Sequence, residues 1–280
     1  MTPAPRTVVE AFLPADGAAA LDQLYDTANA AGLDDQPVRL TIRRMVAAGE
    51  VTQSGRGRRG TLALTATGRE RLRRDRLALH LALAQDRGQA PWDSRWRLLA
   101  VSVPETDRAA RDAMRRDLLA AGAAPVSTGL YASPHDLSAM LGPLDTSATV
   151  AGTPGADTPG TGALFRAIAT DLDVRGVTDP AEIAEMLWPA APIIDRYAVA
   201  DRAVELAGSL RPGADTRAVL LRQLRLADAW ELAMRQDPLI PPELRGDPWP
   251  PATIRRRWHT AWTELAAQLP DQLLYRGWLP

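Results

Sequence analysis

Residues 35–64 read DQPVRLTIRRMVAAGEVTQSGRGRRGTLAL. Val38, Ile42 and Met45 stand at i, i+4 and i+7, which makes one apolar stripe of a helix. Gln36, Arg39, Leu40 and Arg43 fall on the opposite side. Asp35 is a natural N-cap, and Pro37 is tolerated in a first turn, where its missing N–H is not needed. The pattern predicts a helix to about Ala48, closed by Gly49. Val51–Gln53 and Thr61–Leu64 have strand character, and the Gly/Arg-rich run between them reads as the turn of a β-hairpin.

Upstream, Val8, Val9, Phe12 and Leu13 recur at helical spacing, predicting a short helix over Arg6–Leu13. Pro14, Asp16 and Gly17 break it. A second helix is expected over Ala18–Ala31, with Leu21, Leu24, Tyr25 and Ala28 inward and Gly32 at its end. Three helices followed by a basic hairpin is the order of a winged helix-turn-helix, whose third helix enters the major groove while the hairpin lies along the backbone. Arg39 and Arg43, one turn apart and outward, are candidates for base-edge or phosphate contact. Gln36 offers the bidentate pattern that adenine accepts. Thr41 and Arg44 lie at the margins, and Arg44 is as well placed to pair with an acid of the first two helices. Arg56, Arg58 and Arg59, in the turn, suit phosphate contact and salt-sensitive affinity.

Charge supports this placement. The 280 residues carry a net charge of −1, yet residues 1–35 sum to −5, 36–76 to +8 and 77–280 to −4. A localised basic block beside an acidic remainder is the footprint of a nucleic-acid face. All 33 basic side chains are Arg, and Cys is absent. That excludes disulfides, thiolate chemistry, zinc–thiolate sites, a Walker-A lysine and Schiff-base catalysis. Three His, at 80, 135 and 259, leave little for a histidine-rich metal site. No membrane span or signal peptide is expected, so the cytoplasm is the expected compartment.

A further helix is expected over about Thr67–Gln85, with Arg69, Arg71, Arg73, Arg74 and Arg76 crowding its first half, near a DNA backbone or a partner chain. Residues 86–91 mark a boundary. Strand Trp96–Val103, helix Asp107–Ala121, strand Val126–Ser133, short helix His135–Leu141 and strands Ala148–Ala151 and Leu164–Val174 then read as β-α-β-α-β-β, close to a ferredoxin-like unit. The Thr153–Gly162 run, rich in Gly and Pro, is expected as a flexible hairpin loop. The last hundred residues read as helices over about 178–188, 193–210, 216–235 and 251–269. Trp258 and Trp262 suit either core packing or an effector or dimer surface, with core favoured. Arg255–Arg257 suit either a ligand phosphate or an exposed face.

The run Trp92-Asp-Ser-Arg-Trp-Arg-Leu-Leu99, then Val103-Pro-Glu105 and Gly129-Leu-Tyr-Ala-Ser-Pro134, resembles the central domain of PaaX-type transcriptional repressors. Asp237-Pro-Leu-Ile-Pro-Pro-Glu-Leu244 with Trp249-Pro250 resembles the same family's C-terminal signature. The resemblance implies a dimeric repressor of catabolic genes, released from double-stranded operator DNA by an acyl-CoA-type effector. It supplies no effector-binding residue, and no cofactor is expected. The alternatives are a regulator of another pathway, such as secondary metabolism, with an unrelated ligand or none, and a metal-dependent nuclease. The middle unit also resembles small CRISPR-adaptation nucleases, but Val103–Pro104 stands where their strand-end acid is needed, with Glu105 and Asp107 beyond the break. Ser133, His135 and Asp136 crowd one turn without a Gly-x-Ser-x-Gly elbow and read as a helix start. No enzyme activity is expected. The expected organisation is α+β: a winged helix-turn-helix (1–76), a connecting helix and linker (77–91), a ferredoxin-like central domain (92–176) and an all-α C-terminal domain (177–280).

Overall fold

The computed structural model describes residues 2–104, 107–141, 163–209, 215–235, 237–269 and 273–278. The fold is α+β, with two small antiparallel sheets among helices. Contact density divides the chain into two compact units, one of residues 1–83, 194–234 and 250–280, the other of 84–193 and 235–249. The four segments read from the sequence are stretches of chain; this division groups residues by contact, so the first unit draws on both ends.

The first unit begins with α1 (Pro5–Phe12), β1 (Ala18–Ala20), α2 (Leu21–Ala30) and α3 (Asp35–Ala47). β2 (Val51–Ser54), a 3-10 turn at Gly57–Arg59, β3 (Thr61–Leu64) and α4 (Ala66–Asp86) follow. β2 and β3 form the expected hairpin, Val51 opposite Leu64 and Ser54 opposite Thr61. β1 corrects the expectation of helix from Ala18: Ala18–Ala20 pairs antiparallel with β3, placing Ala19 opposite Leu62. Three alanines favour helix locally, but a free β3 edge offers them backbone partners, and tertiary pairing overrides propensity.

α3 ends as the sequence predicts. Gly49 adopts φ +68, and the amides of Gly49 and Glu50 bond back to the carbonyls of Val46 and Met45. This is the Schellman closure that a left-handed residue permits. Gly68 has a different reason to be glycine. A Cβ there would stand 1.9 Å from the Glu50 carbonyl oxygen, so the start of α4 lies directly on the α3–β2 turn.

α8 (Ala190–Gly208), α9 (Thr216–Met234) and α10 (Pro250–Ala266) bring the far end of the chain to this core. Val8, Leu24, Ile42, Leu224, Trp230 and Trp262 belong to one buried cluster. Ring centroids of Trp230 and Trp258 are 4.3 Å apart, Trp258 and Trp262 5.4 Å, and Trp262 and Tyr275 5.6 Å. Trp258 and Trp262 are therefore core. Arg255 is 2% exposed, Arg257 pairs with Asp201, and Arg256 Nη2 donates to Thr253 Oγ1. The three consecutive arginines thus diverge rather than form one cationic patch.

The second unit runs β4 (Trp96–Ser102), α5 (Arg108–Ala120), β5 (Ala124–Ser127), β6 (Leu130–Ser133), α6 (Ser138–Leu141), β7 (Ala163–Ala169) and α7 (Pro180–Leu187). The sheet order is β5-β6-β4-β7, with every neighbouring pair antiparallel. The observed order from β4 to β7 is β-α-β-β-α-β. The stretch expected as one strand, Val126–Ser133, is a hairpin, turned by Gly129 at φ +78. The strand expected at Ala148–Ala151, the Thr153–Gly162 loop and Glu105 lie outside the described residues. The strand expected over Leu164–Val174 ends at Ala169, and Val174 instead bridges Val177.

The segment beginning Asp237 is held by its backbone. The Leu239 carbonyl accepts from Gln85 Nε2 at 2.8 Å and from His135 Nε2 at 2.6 Å. Accepting is all a carbonyl does, so His135 carries its proton on Nε2. Burial lowers the His135 pKa, which keeps the ring neutral in this clasp. Trp188 Nε1 donates to the Gly122 carbonyl at 3.0 Å, and Arg245 Nη2 to the Trp188 carbonyl at 2.6 Å. The string carrying the C-terminal resemblance is thus a structural clasp of this unit.

Candidate nucleic-acid interface

α3 divides as its stripe predicts. Val38, Ile42 and Met45 are buried, whereas Gln36, Arg39, Leu40, Arg43 and Arg44 are exposed and Thr41 is half-buried. Arg56, Arg58 and Arg59 are exposed in the hairpin turn. α3 and the hairpin belong to the same compact unit, and β2 follows α3 after three residues. The turn geometry that closes α3 therefore fixes where the hairpin starts.

The arginines differ in what already holds them. Among the described residues, the side chains of Arg43, Arg44, Arg56 and Arg59 have no ion pair or hydrogen bond. Arg44 thus does not make the pairing with the first two helices that its position allowed. Arg39 lies 3.7 Å from Asp35, a loose contact that leaves its side chain 60% exposed. Arg58 is different. It reaches from the hairpin to α2 and the start of α3, where it pairs with Asp26 and donates to Asn29 Oδ1 at 2.7 Å and Asp35 Oδ1 at 3.1 Å. Its guanidinium carbon also lies 5.5 Å from the centre of the Tyr25 ring.

This clamp revises one local expectation. Asp35 does not cap α3; Asp34 occupies the N-cap position and makes no side-chain cap bond. The Asp35 carboxyl instead accepts from Asn29 Nδ2 at 3.0 Å. That bond, with Arg58 and Arg39 nearby, holds the Asp35 pKa below the ordinary carboxylate value. Asn29 was missed as a positioning residue: its Nδ2 also donates to the Leu33 carbonyl at 2.9 Å, and its Oδ1 receives Arg58. A signal was available, since it is the only Asn in the chain and sits in the last turn of α2.

The α4 arginines behave otherwise. Arg71 pairs with Glu10, lies 3.5 Å from Glu50, and donates to Asp75 at 2.8 Å. Arg6 joins the same cluster through Glu10 at 2.7 Å and Glu50 at 2.6 Å. Arg76 lies 4.5 Å over the Tyr275 ring. Arg71 is therefore engaged with acids inside the first unit, and Arg76 is stacked on Tyr275.

Ser133, His135 and Asp136 do not meet as nucleophile, base and orienter. Ser133 Oγ accepts from the His135 amide at 3.0 Å, His135 Nε2 faces Leu239, and Asp136 accepts from the amide and hydroxyl of Ser138. Asp136 thus serves the start of α6, as a helix-start reading requires. Asp107 caps α5 through the Ala110 amide at 3.0 Å.

Residues 89–151 match the family model described as the PaaX protein central Cas2-like domain. The PaaX resemblance is thereby shown: the chain carries that family's central domain. Among solved structures it is similar to "Uncharacterized protein Rv0674 from Mycobacterium tuberculosis", at 20% identity over 94% of each chain with a TM-score of 0.49. No curated protein matches. No described helix is long and apolar enough to cross a membrane.

Proposed function

We propose that the chain is a DNA-binding transcriptional regulator of PaaX type, acting in the cytoplasm as a homodimeric repressor of a catabolic operon. The observation that carries this reading is the face formed by α3 and the hairpin turn. Its apolar side is buried, and Arg43, Arg44, Arg56 and Arg59 stand exposed without protein partners among the described residues. Unpaired guanidinium groups on an outward helix and its following hairpin are what a winged helix-turn-helix offers to phosphates and guanine edges. Leu40, 47% exposed between Arg39 and Arg43, adds an apolar contact suited to a thymine methyl.

In this reading the β-α-β-β-α-β unit is the ferredoxin-like central domain, used for dimerisation or signal transmission. An acyl-CoA-type effector releases the operator by binding the DNA-free state more tightly. Two-fold symmetry makes the operator roughly palindromic, with half-sites about one helical turn or a multiple apart. No catalytic step is part of the proposal. Support comes from the hydrogen bonds that commit Ser133, His135, Asp136 and Asp107 to local structure.

The test is footprinting upstream of the chain's own and neighbouring genes, followed by fluorescence anisotropy on the protected duplex. Tight binding is expected for the wild-type chain and its loss for Arg39→Ala/Arg43→Ala. Equal affinity of the two proteins for specific and random duplex refutes the proposal.

A further inference from the structure

One face of α4 carries a second cationic feature, distinct from the α3 surface. Arg69, Arg73, Arg76 and His80 follow one another at i, i+4, i+7 and i+11, so they share a stripe. They line a cleft of about 420 Å³ with Asp16 and Trp278. That lies within the roughly 300–1,000 Å³ of small-molecule sites.

The walls are fixed. The Ala15 amide donates to the Arg276 carbonyl at 2.9 Å, the Tyr275 amide to Ala11 at 2.7 Å, and Trp278 Nε1 to the Leu13 carbonyl at 2.9 Å. The segment near the C-terminus is thereby stapled to the loop after α1. Arg69 Nε donates to the Ala15 carbonyl at 2.9 Å, which ties the stripe to the same loop.

The charge is not balanced within the cleft. Three guanidinium groups meet one lining carboxylate, Asp16, which is 3.7 Å from Arg69 and 97% exposed. Arg73 has an exposed pairing with Glu70 at 2.8 Å. The Nε of Arg76 is buried and has no hydrogen-bond partner among the described residues. Guanidinium groups that outnumber the lining carboxylates are what an anionic ligand such as phosphate requires.

We infer that this cleft binds the phosphate group of a small molecule, the guanidinium groups of Arg69, Arg73 and Arg76 holding its oxygens while Trp278 supplies a flat surface for an attached organic part. Arginine is suited to this because its planar fork matches phosphate geometry. The inference does not rest on the DNA reading, since it concerns a different face and a ligand measured without DNA.

The experiment is calorimetric titration of the full chain with inorganic phosphate, inorganic pyrophosphate and ADP at constant ionic strength. One saturable site per chain is expected. Tighter binding of ADP than of pyrophosphate is expected, because Trp278 meets the organic part; the reverse order overturns that assignment and leaves an inorganic-anion site. Arg73→Gln, at a side chain already 62% exposed, is expected to weaken binding about tenfold. Glu70→Gln, which frees Arg73, is expected to strengthen it two- to threefold, on the order of an exposed ion pair. Absence of saturable binding at millimolar ligand overturns the inference, as does binding that neither variant changes. Weakened duplex affinity in Arg73→Gln, with no binding of the small anions, also overturns it and gives the stripe to the DNA surface instead.

Discussion

α3 with its hairpin and the first half of α4 are both arginine-rich, and they put that charge to opposite uses. On α3 and the turn, Arg43, Arg44, Arg56 and Arg59 face solvent without partners among the described residues. On α4, Arg71 is drawn against Glu10 and Glu50, whose side chains are only 7% and 14% exposed, and Arg76 covers Tyr275. The difference lies in the acids each set meets. Two nearly buried carboxylates need a compensating cation, because an isolated buried charge is costly. α3 faces no such debt, so its cations remain available to a polyanion. Arginine density therefore says where positive field originates, and partner acidity says whether that field leaves the protein.

The strongest way to break this comparison is to remove the exposed pair. Arg39→Ala/Arg43→Ala is expected to weaken specific operator binding about 100-fold or more, the sum of two base- or phosphate-directed contacts. Stability should hardly move, since Arg39 holds Asp35 only loosely, at 3.7 Å. Anisotropy and thermal melting on the same samples separate the two effects. A variant that melts early yet binds normally would reverse the roles assigned to the two regions.

The converse substitution acts on the fold. Arg71→Met leaves Glu10 and Glu50 with Arg6 alone. Loss of a partner from a fully buried pair costs roughly 3–5 kcal/mol, and partial exposure of Arg71 reduces this to about 2–3 kcal/mol. Urea melts should show that loss. The salt dependence of DNA binding should keep its wild-type slope, because this guanidinium touches no phosphate in the proposed complex.

A third expectation concerns the same interior. Glu231, half-buried between α1 and the Tyr275 segment, accepts from Thr7 Oγ1 at 3.0 Å and from the Tyr275 hydroxyl at 3.4 Å. Burial, with Glu10 nearby, pushes its carboxyl from 4.5 up to about 6. Between these values the folded protein holds a proton that the unfolded chain has released, so this group makes stability fall as pH rises through the window. The rise to about 6 corresponds to about 2 kcal/mol. Glu231→Gln should flatten stability between pH 4.5 and 6 and raise it at pH 7 by up to that amount. An unchanged pH profile in chemical denaturation would show that Glu231 ionises normally.

Much of the exposed face was legible because helical period is a local property. Val38, Ile42 and Met45 declare a buried side within eight residues, and the outward positions follow from them. The division between the two arginine sets was not legible. Arg71 meets Glu10 across 61 residues of sequence, and no periodicity encodes that pairing. β1 was hidden for a similar reason: its alanines become strand only because β3 presents an edge, and β3 lies beyond two helices. The β5–β6 hairpin was missed because Val126–Ser133 is apolar enough to read as one strand, with Gly129 alone marking the turn. The far helices read as a separate unit for want of any signal that α9 and α10 share a core with α1–α3.

The finest distinction is within the hairpin turn. Arg56 and Arg59 are unpaired among the described residues, whereas Arg58 is held by Asp26, Asn29 and Asp35. A phosphate contact releases counterions and contributes about 0.9 to the slope of log affinity against log salt. Arg56→Ala/Arg59→Ala should therefore lower that slope by nearly 2, with a similar loss on specific and random duplex. Arg58→Ala should lower it by much less, because that guanidinium already neutralises acids of its own unit. Its effect should instead appear in the placement of the hairpin relative to the α2–α3 turn, read as faster amide exchange across residues 55–60. Equal slopes for Arg58→Ala and either single variant of its neighbours would mean that the clamp opens on DNA. The Asp26 and Asp35 pairings would then mark only the unbound state, and the exposed set would gain a fifth cation.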